Sequence, residues 1–359
     1  MIFFKERNSN AVIQPELMKS NQIITKQNLL ACFLLMFAVA TPFLAASIGA
    51  VSISPQHVLH ALFASSAETH DISSRIIIEL RMPRILLAFT AGAGLALAGC
   101  VLQLVTRNPL ADPYLFGISS GASFGAVVVM TTMGTAFSSA ITLPIGAFIG
   151  AVLSVLLVLS LSRGGLNSQV ERMLLSGVAT SFMFGALSSL LLYFSDPQAA
   201  ASVLFWTLGS FSRASWNTLW LPIVIVFTSL LLLLGLKRTM VALQAGDETA
   251  HTLGINVVRL RLSILLLCSL ITATLVANCG GIGFVGLMVP HTIRMLFPRQ
   301  QSFLLTAVAG GVFMVWVDVF ARILLDNQEL PVGVITAAIG SAFFLFFLRQ
   351  RRQECHERI

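Results

Sequence analysis

Apolar residues in this chain come in long, nearly unbroken runs separated by short polar segments. Ten runs predict ten membrane-spanning helices, at roughly 29–49, 83–106, 114–133, 141–162, 172–194, 216–236, 260–279, 283–297, 303–325 and 332–349. An α-helix needs about 20 apolar residues to cross a hydrocarbon layer of about 30 Å. The eighth run is short, is broken by Pro290, and carries His291 and Arg294. Irregular backbone at membrane depth survives only where protein or water surrounds it, so this segment is expected to pack inside the bundle. The first run follows a basic head, and Ala45-Ala46-Ser47 resembles a cleavage site. Its apolar stretch is longer than the core of a signal peptide, so it is expected to be retained.

Composition fixes the class. Of the 359 residues, 56% are apolar and 10% charged, where soluble domains carry about a quarter charged residues. The chain reads as an all-α polytopic membrane protein, with an N-terminal segment at 1–28, one transmembrane domain at 29–349 and a tail at 350–359. The net charge of +7 sits between the apolar runs. It therefore reports orientation and not nucleic-acid binding. With the N-terminus in the cytoplasm, seventeen of the 22 Lys and Arg residues fall inside, and only Arg75, Arg81, Arg84, Arg213 and Arg322 fall outside. That bias places both termini in the cytoplasm, and it leaves five outer arginines in need of a reason.

Several functions are excluded by what is missing. There is no G-x-x-x-x-G-K-[ST] phosphate loop. Of fifteen acidic residues only Asp318 lies well within a predicted span, whereas ion-coupled carriers place ionisable groups at membrane depth. An ion-coupled secondary transporter is thus the different-class alternative, and a poor one. Cys32, Cys100, Cys268, Cys279 and Cys355 have no metal or redox spacing. No cluster of His, Cys and carboxylates suits an intramembrane enzyme, so neither catalytic residues nor a metal site are expected. Energy is expected from another protein, and with it a docking surface.

The polar interruptions supply candidates. Asn108, Pro109, Asp112 and Pro113 predict a tight turn whose amides the Asn and Asp side chains satisfy. Between Lys237 and Arg261, Asp247 and Glu248 suit the first turn of a short helix, and Gly254 suits its C-terminal cap. Ala250 and Leu253 are expected to share one face. Such a helix is too short to be stable alone. On the residues alone, a solvated loop helix and a plug for a partner's groove both stand. Gly280, Gly281, Gly283 and Gly286 mark an irregular, closely packed start to the eighth span, and His291 reads as a hydrogen-bonded structural residue. Asp318 and Arg322 are spaced i,i+4, which suffices to pair them. Arg81, Arg84 and Arg322 lie at outer span ends, where they either recognise carboxylates on a partner or snorkel to the interface.

Together these segments resemble the FecCD family, the permeases of ferric-siderophore, haem and cobalamin ABC importers. The resemblance runs from about Arg81 to the last span. It rests on Arg81-Met82-Pro83-Arg84, Asn108 to Pro113, Gly117 to Ala122, Gly246 to Gly254, Gly283 to Leu287 with Pro290-His291, Asp318 with Arg322, and Leu330 to Gly333. It implies a type II importer permease in the bacterial inner membrane, pairing with a second permease chain around a central path. It also implies a cytoplasmic ABC ATPase dimer, carrying the ATP and Mg, docked on a coupling loop at about 243–257 that includes Gly246, Asp247, Glu248, Ala250, Leu253 and Gly254. An extracytoplasmic substrate-binding protein is implied to dock through Arg81, Arg84 and Arg322. The cytoplasmic gate of such permeases falls at Ser168, Gln169 and Val170. Ferric siderophore ranks first as cargo, above haem, cobalamin and molybdate-type oxyanions.

Overall fold

The computed structural model describes residues 10–49, 53–63, 71–132, 142–162, 169–298, 302–325 and 328–356. The helices are α1 (Asn10–Ser47), α2 (Pro55–Phe63), α3 (Ile72–Arg75), α4 (Met82–Thr106), α5 (Ile118–Thr132), α6 (Thr142–Leu161), α7 (Gln169–Tyr193) and α8 (Pro197–Thr207). They continue with α9 (Trp216–Gly235), α10 (Lys237–Gln244), α11 (Asp247–Thr252), α12 (Val257–Cys279), α13 (Val285–Leu296), α14 (Phe303–Ile323) and α15 (Val332–His356). A π-helical turn at Ile76–Arg81 joins α3 to α4, and a 3₁₀ turn at Pro113–Phe116 precedes α5. Each of the ten apolar runs coincides with a helix. Seven of the described helices are long and apolar enough to cross a membrane, and α5 and α15 carry shorter apolar stretches.

The eighth run is α13, and it is a half-helix. Twelve residues rise only about 18 Å. The chain reaches it through the non-helical stretch 280–284, where Gly280 takes φ 73° and Phe284 takes φ 68°. This irregular backbone is enclosed by protein, as membrane depth demands. The Ile282 N–H donates to the Tyr114 hydroxyl at 2.8 Å, the Ser210 N–H donates to the Cys279 carbonyl, and Ile282 and Val285 are buried.

Burial sorts the spans into a centre and a rim. About four-fifths of the apolar window of α4 is buried (83%), against 17% for α1, 22% for α7 and 28% for α9. The centre is built by small residues. A methyl group at Gly92 would collide with the carbonyl of Gly310 on α14, and one at Gly99 with the carbonyl of Gly286 on α13. Without a hydrophobic drive between helices in lipid, such close approach is what holds them together. The α4 helix also sets the geometry of function. Its 25 residues span about 37 Å, with Arg81 and Arg84 at one end and Arg107 at the other.

Three differences from the sequence reading are structural. The third span starts as a 3₁₀ turn broken from α5 by Gly117 at φ 71°. Helix α1 extends well before residue 29. Helices α8 and α10 are additional, because neither is long enough to register as an apolar run.

Candidate functional site

At the Arg107 end, a short helix is clamped against the bundle. Arg107 closes α4 in the left-handed region, at φ 53°. That conformation is unfavourable for a side chain with a Cβ, and here the side chain folds back over α10 and α11. Its guanidinium donates to the Leu243 carbonyl, with Nε at 2.9 Å, and to Asp247 Oδ1 at 2.5 Å. Arg261, at the start of α12, holds both oxygens of the same carboxylate at 2.9 Å. Asp247 therefore opens α11 while tied to two spans. Gly254 ends the helix at φ 78°, with its N–H donating to the His251 carbonyl and the Ile255 N–H to the Ala250 carbonyl. This is the glycine-terminated cap expected of Gly254, and Asp247 and Glu248 occupy the first turn as expected. Ala250 and Leu253 do not share a face. Ala250 is fully buried and Leu253 is 65% exposed, because the helix ends at Thr252 and the chain turns there.

The adjoining turn is also tied inward. The Asn108 side chain accepts from the Leu110 N–H at 3.0 Å, and Asp112 accepts from the Tyr114 N–H at 2.8 Å. Pro113 opens the 3₁₀ turn. Asp112 is buried, and burial pushes its carboxyl up to about 6, with the Tyr114 amide working in the opposite direction. Gln103 donates to the Gly286 carbonyl at 2.9 Å and accepts from Arg294 at 2.5 Å, so α4 grips both ends of α13. Pro290 is buried within α13, and the His291 ring meets Phe343 and Phe347 edge-on. Ser168 lies outside the described residues, and Gln169 and Val170 open α7.

At the opposite end the three outer arginines converge, but inward. The Asp318 carboxylate is fully buried and receives Arg84 (Nε to Oδ1 at 2.9 Å and to Oδ2 at 3.1 Å) and Arg322 (Nε to Oδ2 at 3.2 Å). The i,i+4 pair is present, and Arg84 completes it from another helix. Arg84 also pairs with Glu329 at 2.8 Å. Arg81 donates to the Ala46 carbonyl and Arg322 to the Ile48 carbonyl, so both cap the end of α1, where cations meet the unpaired carbonyls. All three guanidinium-bearing side chains are mostly enclosed, and the Arg322 Nη2 atom is buried with no hydrogen-bond partner among the described residues. Beside them a cavity of about 360 Å³ is lined by Trp206, Arg213, Asn278 and Glu329. Among the described residues no His, Cys, Asp and Glu cluster is fit for a metal.

Sequence reasoning gave no site role to Gln103, Arg107, Arg261 or Glu329. The arginines registered only as orientation signals, and nothing local marks their partners.

Residues 34–350 match the model of the FecCD transport family. The hemin transport system permease HmuU of Yersinia pestis is 38% identical over 89% of this chain and 96% of its own length. The cobalamin import permease BtuC of Halobacterium salinarum is 38% identical over 77% of this chain and 74% of its own. A structure described as an inward-facing metal-chelate-type ABC transporter superposes with a TM-score of 0.78 at 32% identity, covering 89% of this chain and 99% of that one. With a helical bundle of the type II importer architecture and a family match across all ten runs, the chain belongs to the FecCD transport family of ABC transporter permeases.

Proposed function

We propose that this chain is the permease subunit of an ATP-driven importer that carries an iron chelate, ferric siderophore first, across the bacterial inner membrane. Haem, cobalamin and molybdate-type oxyanions rank below it. The observation that carries the reading is the family match over residues 34–350, together with relatives whose names specify hemin and cobalamin. The permease makes and breaks no bonds. A cytoplasmic ATPase dimer seats on α11, where Leu253 protrudes and Asp247 ties the helix to α4 and α12. A binding protein delivers cargo at the Arg84 end, and a second permease chain completes the path. ATP binding then biases one of two global arrangements, with α11 as the lever between the subunits. Small and apolar spans offer no coordination cage or charge ring for a bare ion, which favours a bulky chelate.

The test is substrate-stimulated ATPase activity of the lipid-embedded transporter with its ATPase and binding protein. Stimulation by a ferric siderophore, abolished by Gly254→Asp, is expected. That change puts a Cβ at φ 78° and a charge on the docking helix. Uptake driven by an ion gradient through the permease alone would overturn the reading.

A further inference from the structure

The five ionisable side chains at the Arg84 end are not equivalent. Asp318 is enclosed and is held by Arg84 and Arg322. Releasing it would strand a buried charge, which is strongly unfavourable. Glu329 is held quite differently. Its side chain is 47% exposed, and among the described residues its ion pair is to Arg84 Nη1 at 2.8 Å. A pair whose acid is half exposed is weaker than the enclosed one, and salt screens it from the exposed side. The backbone beneath it is fixed nonetheless. The Leu330 N–H donates to the Ala321 carbonyl at 3.0 Å, and the Val332 N–H to the Gly209 carbonyl at 3.1 Å. Arg84 thus has one edge committed to a buried acid, which sets the plane of its guanidinium. Its other edge is occupied by an acid that water and salt compete for.

Glu329 also has somewhere else to go. It lines the 360 Å³ cavity together with Arg213. Arg213 is exposed and forms no ion pair among the described residues. The other exposed outer arginine, Arg75, is taken by Glu79 on its own helical turn.

We propose that Glu329 is a displaceable internal counter-ion. It holds the place on Arg84 that a carboxylate of the extracytoplasmic binding protein takes on docking, and it then turns into the cavity toward Arg213. The inference rests on the docking reading given under the proposed function. Two consequences follow from the geometry. The free permease keeps Arg84 oriented and neutralised until a partner arrives. Docking then brings a carboxylate into the cavity wall beside Trp206, so the partner's arrival alters the surface that cargo meets.

The experiment is the affinity of the nanodisc-embedded transporter for its cognate binding protein at low salt, across Glu329→Gln, Glu329→Ala, Arg213→Gln, Arg84→Glu and Arg322→Glu. Removing an exposed competitor is expected to tighten docking about two- to fivefold, with Glu329→Ala tighter than Glu329→Gln. Arg213→Gln is expected to weaken docking about twofold in the parent chain and to have no effect when Glu329 is Ala. Weakened or unchanged docking in both Glu329 variants, with docking lost on arginine reversal, overturns the counter-ion role and leaves Glu329 a positioning residue or a bystander. Docking that survives Arg84→Glu and Arg322→Glu instead overturns the docking reading itself.

Discussion

Asp112 shows how a residue that reads as turn chemistry carries an electrostatic load. Its carboxylate satisfies the Tyr114 amide and is buried against the close contact of α4 with α13, near Gly286. Burial raises its pKa from 3.8 to about 6. The sign follows directly. The folded state holds the proton more tightly than the unfolded chain does, so this group's contribution to stability falls as pH rises from about 4 to about 6 and stays low above that. Asn at this position keeps the acceptor and removes the charge. Asp112→Asn is therefore expected to stabilise the protein at pH 7.5, by on the order of 1 to 3 kcal/mol for a shift of about two units. The gain should shrink as pH drops to 4. Thermal unfolding of the two proteins in detergent across that range checks it. A gain independent of pH would mean that folding does not shift the carboxyl's pKa.

At the scale of elements, what the sequence makes legible is what a short window encodes. The α4, α9 and α14 spans begin and end within two residues of their apolar runs, because hydropathy is a local property. The cap at Gly254 and the Asn108 turn are equally local. Helix α8 and the π-helical turn were not legible, since eleven and six residues leave no distinctive period. Nor were the ties that give the sites their meaning. Arg84 and Asp318 lie 234 positions apart, and Arg107 and Asp247 lie 140 apart. A sequence read alone shows an outer arginine and an inner one, and neither partner. The α11 helix depends on such ties, being too short to persist unaided. Asp247→Ala is expected to lower the thermal midpoint by a few degrees, in keeping with about 1 kcal/mol from two partly exposed ion pairs. It should also uncouple stimulated ATPase activity. Leu253→Ala shortens a side chain that is 65% exposed, so it should leave the midpoint nearly unchanged and reduce stimulation alone. If Leu253→Ala left ATPase assembly and stimulation intact, the partner would have to seat elsewhere.

For the whole molecule, the decisive feature is that the rim helices are not alike. The exposed face of α9 presents Trp220, Val224, Phe227 and Leu231, bulky side chains suited to lipid tails. The exposed face of α7 also carries bulky residues, among them Leu175, Phe182 and Leu190, but Ala179, Gly185, Ala186 and Ser189 stand between them, and α15 adds Ala338, Ser341 and Ala342. Lipid does not call for small residues, but a second helix does, since close approach is the main source of association in a bilayer. The α7 face therefore fits a second permease chain, and a two-fold pairing places the same face on both copies. If two copies of this chain form the pore, single cysteines at 179, 186 and 189, in a variant freed of its native thiols, should crosslink copy to copy with a short bifunctional reagent. Cysteines at 224 and 231 should not. Crosslinking along α9 with none along α7 would reverse the assignment of the two faces. Absence of crosslinking at both, in a transporter that still imports its chelate, would point to a different second chain. In that case α7 would be matched to a homologous partner and not to itself.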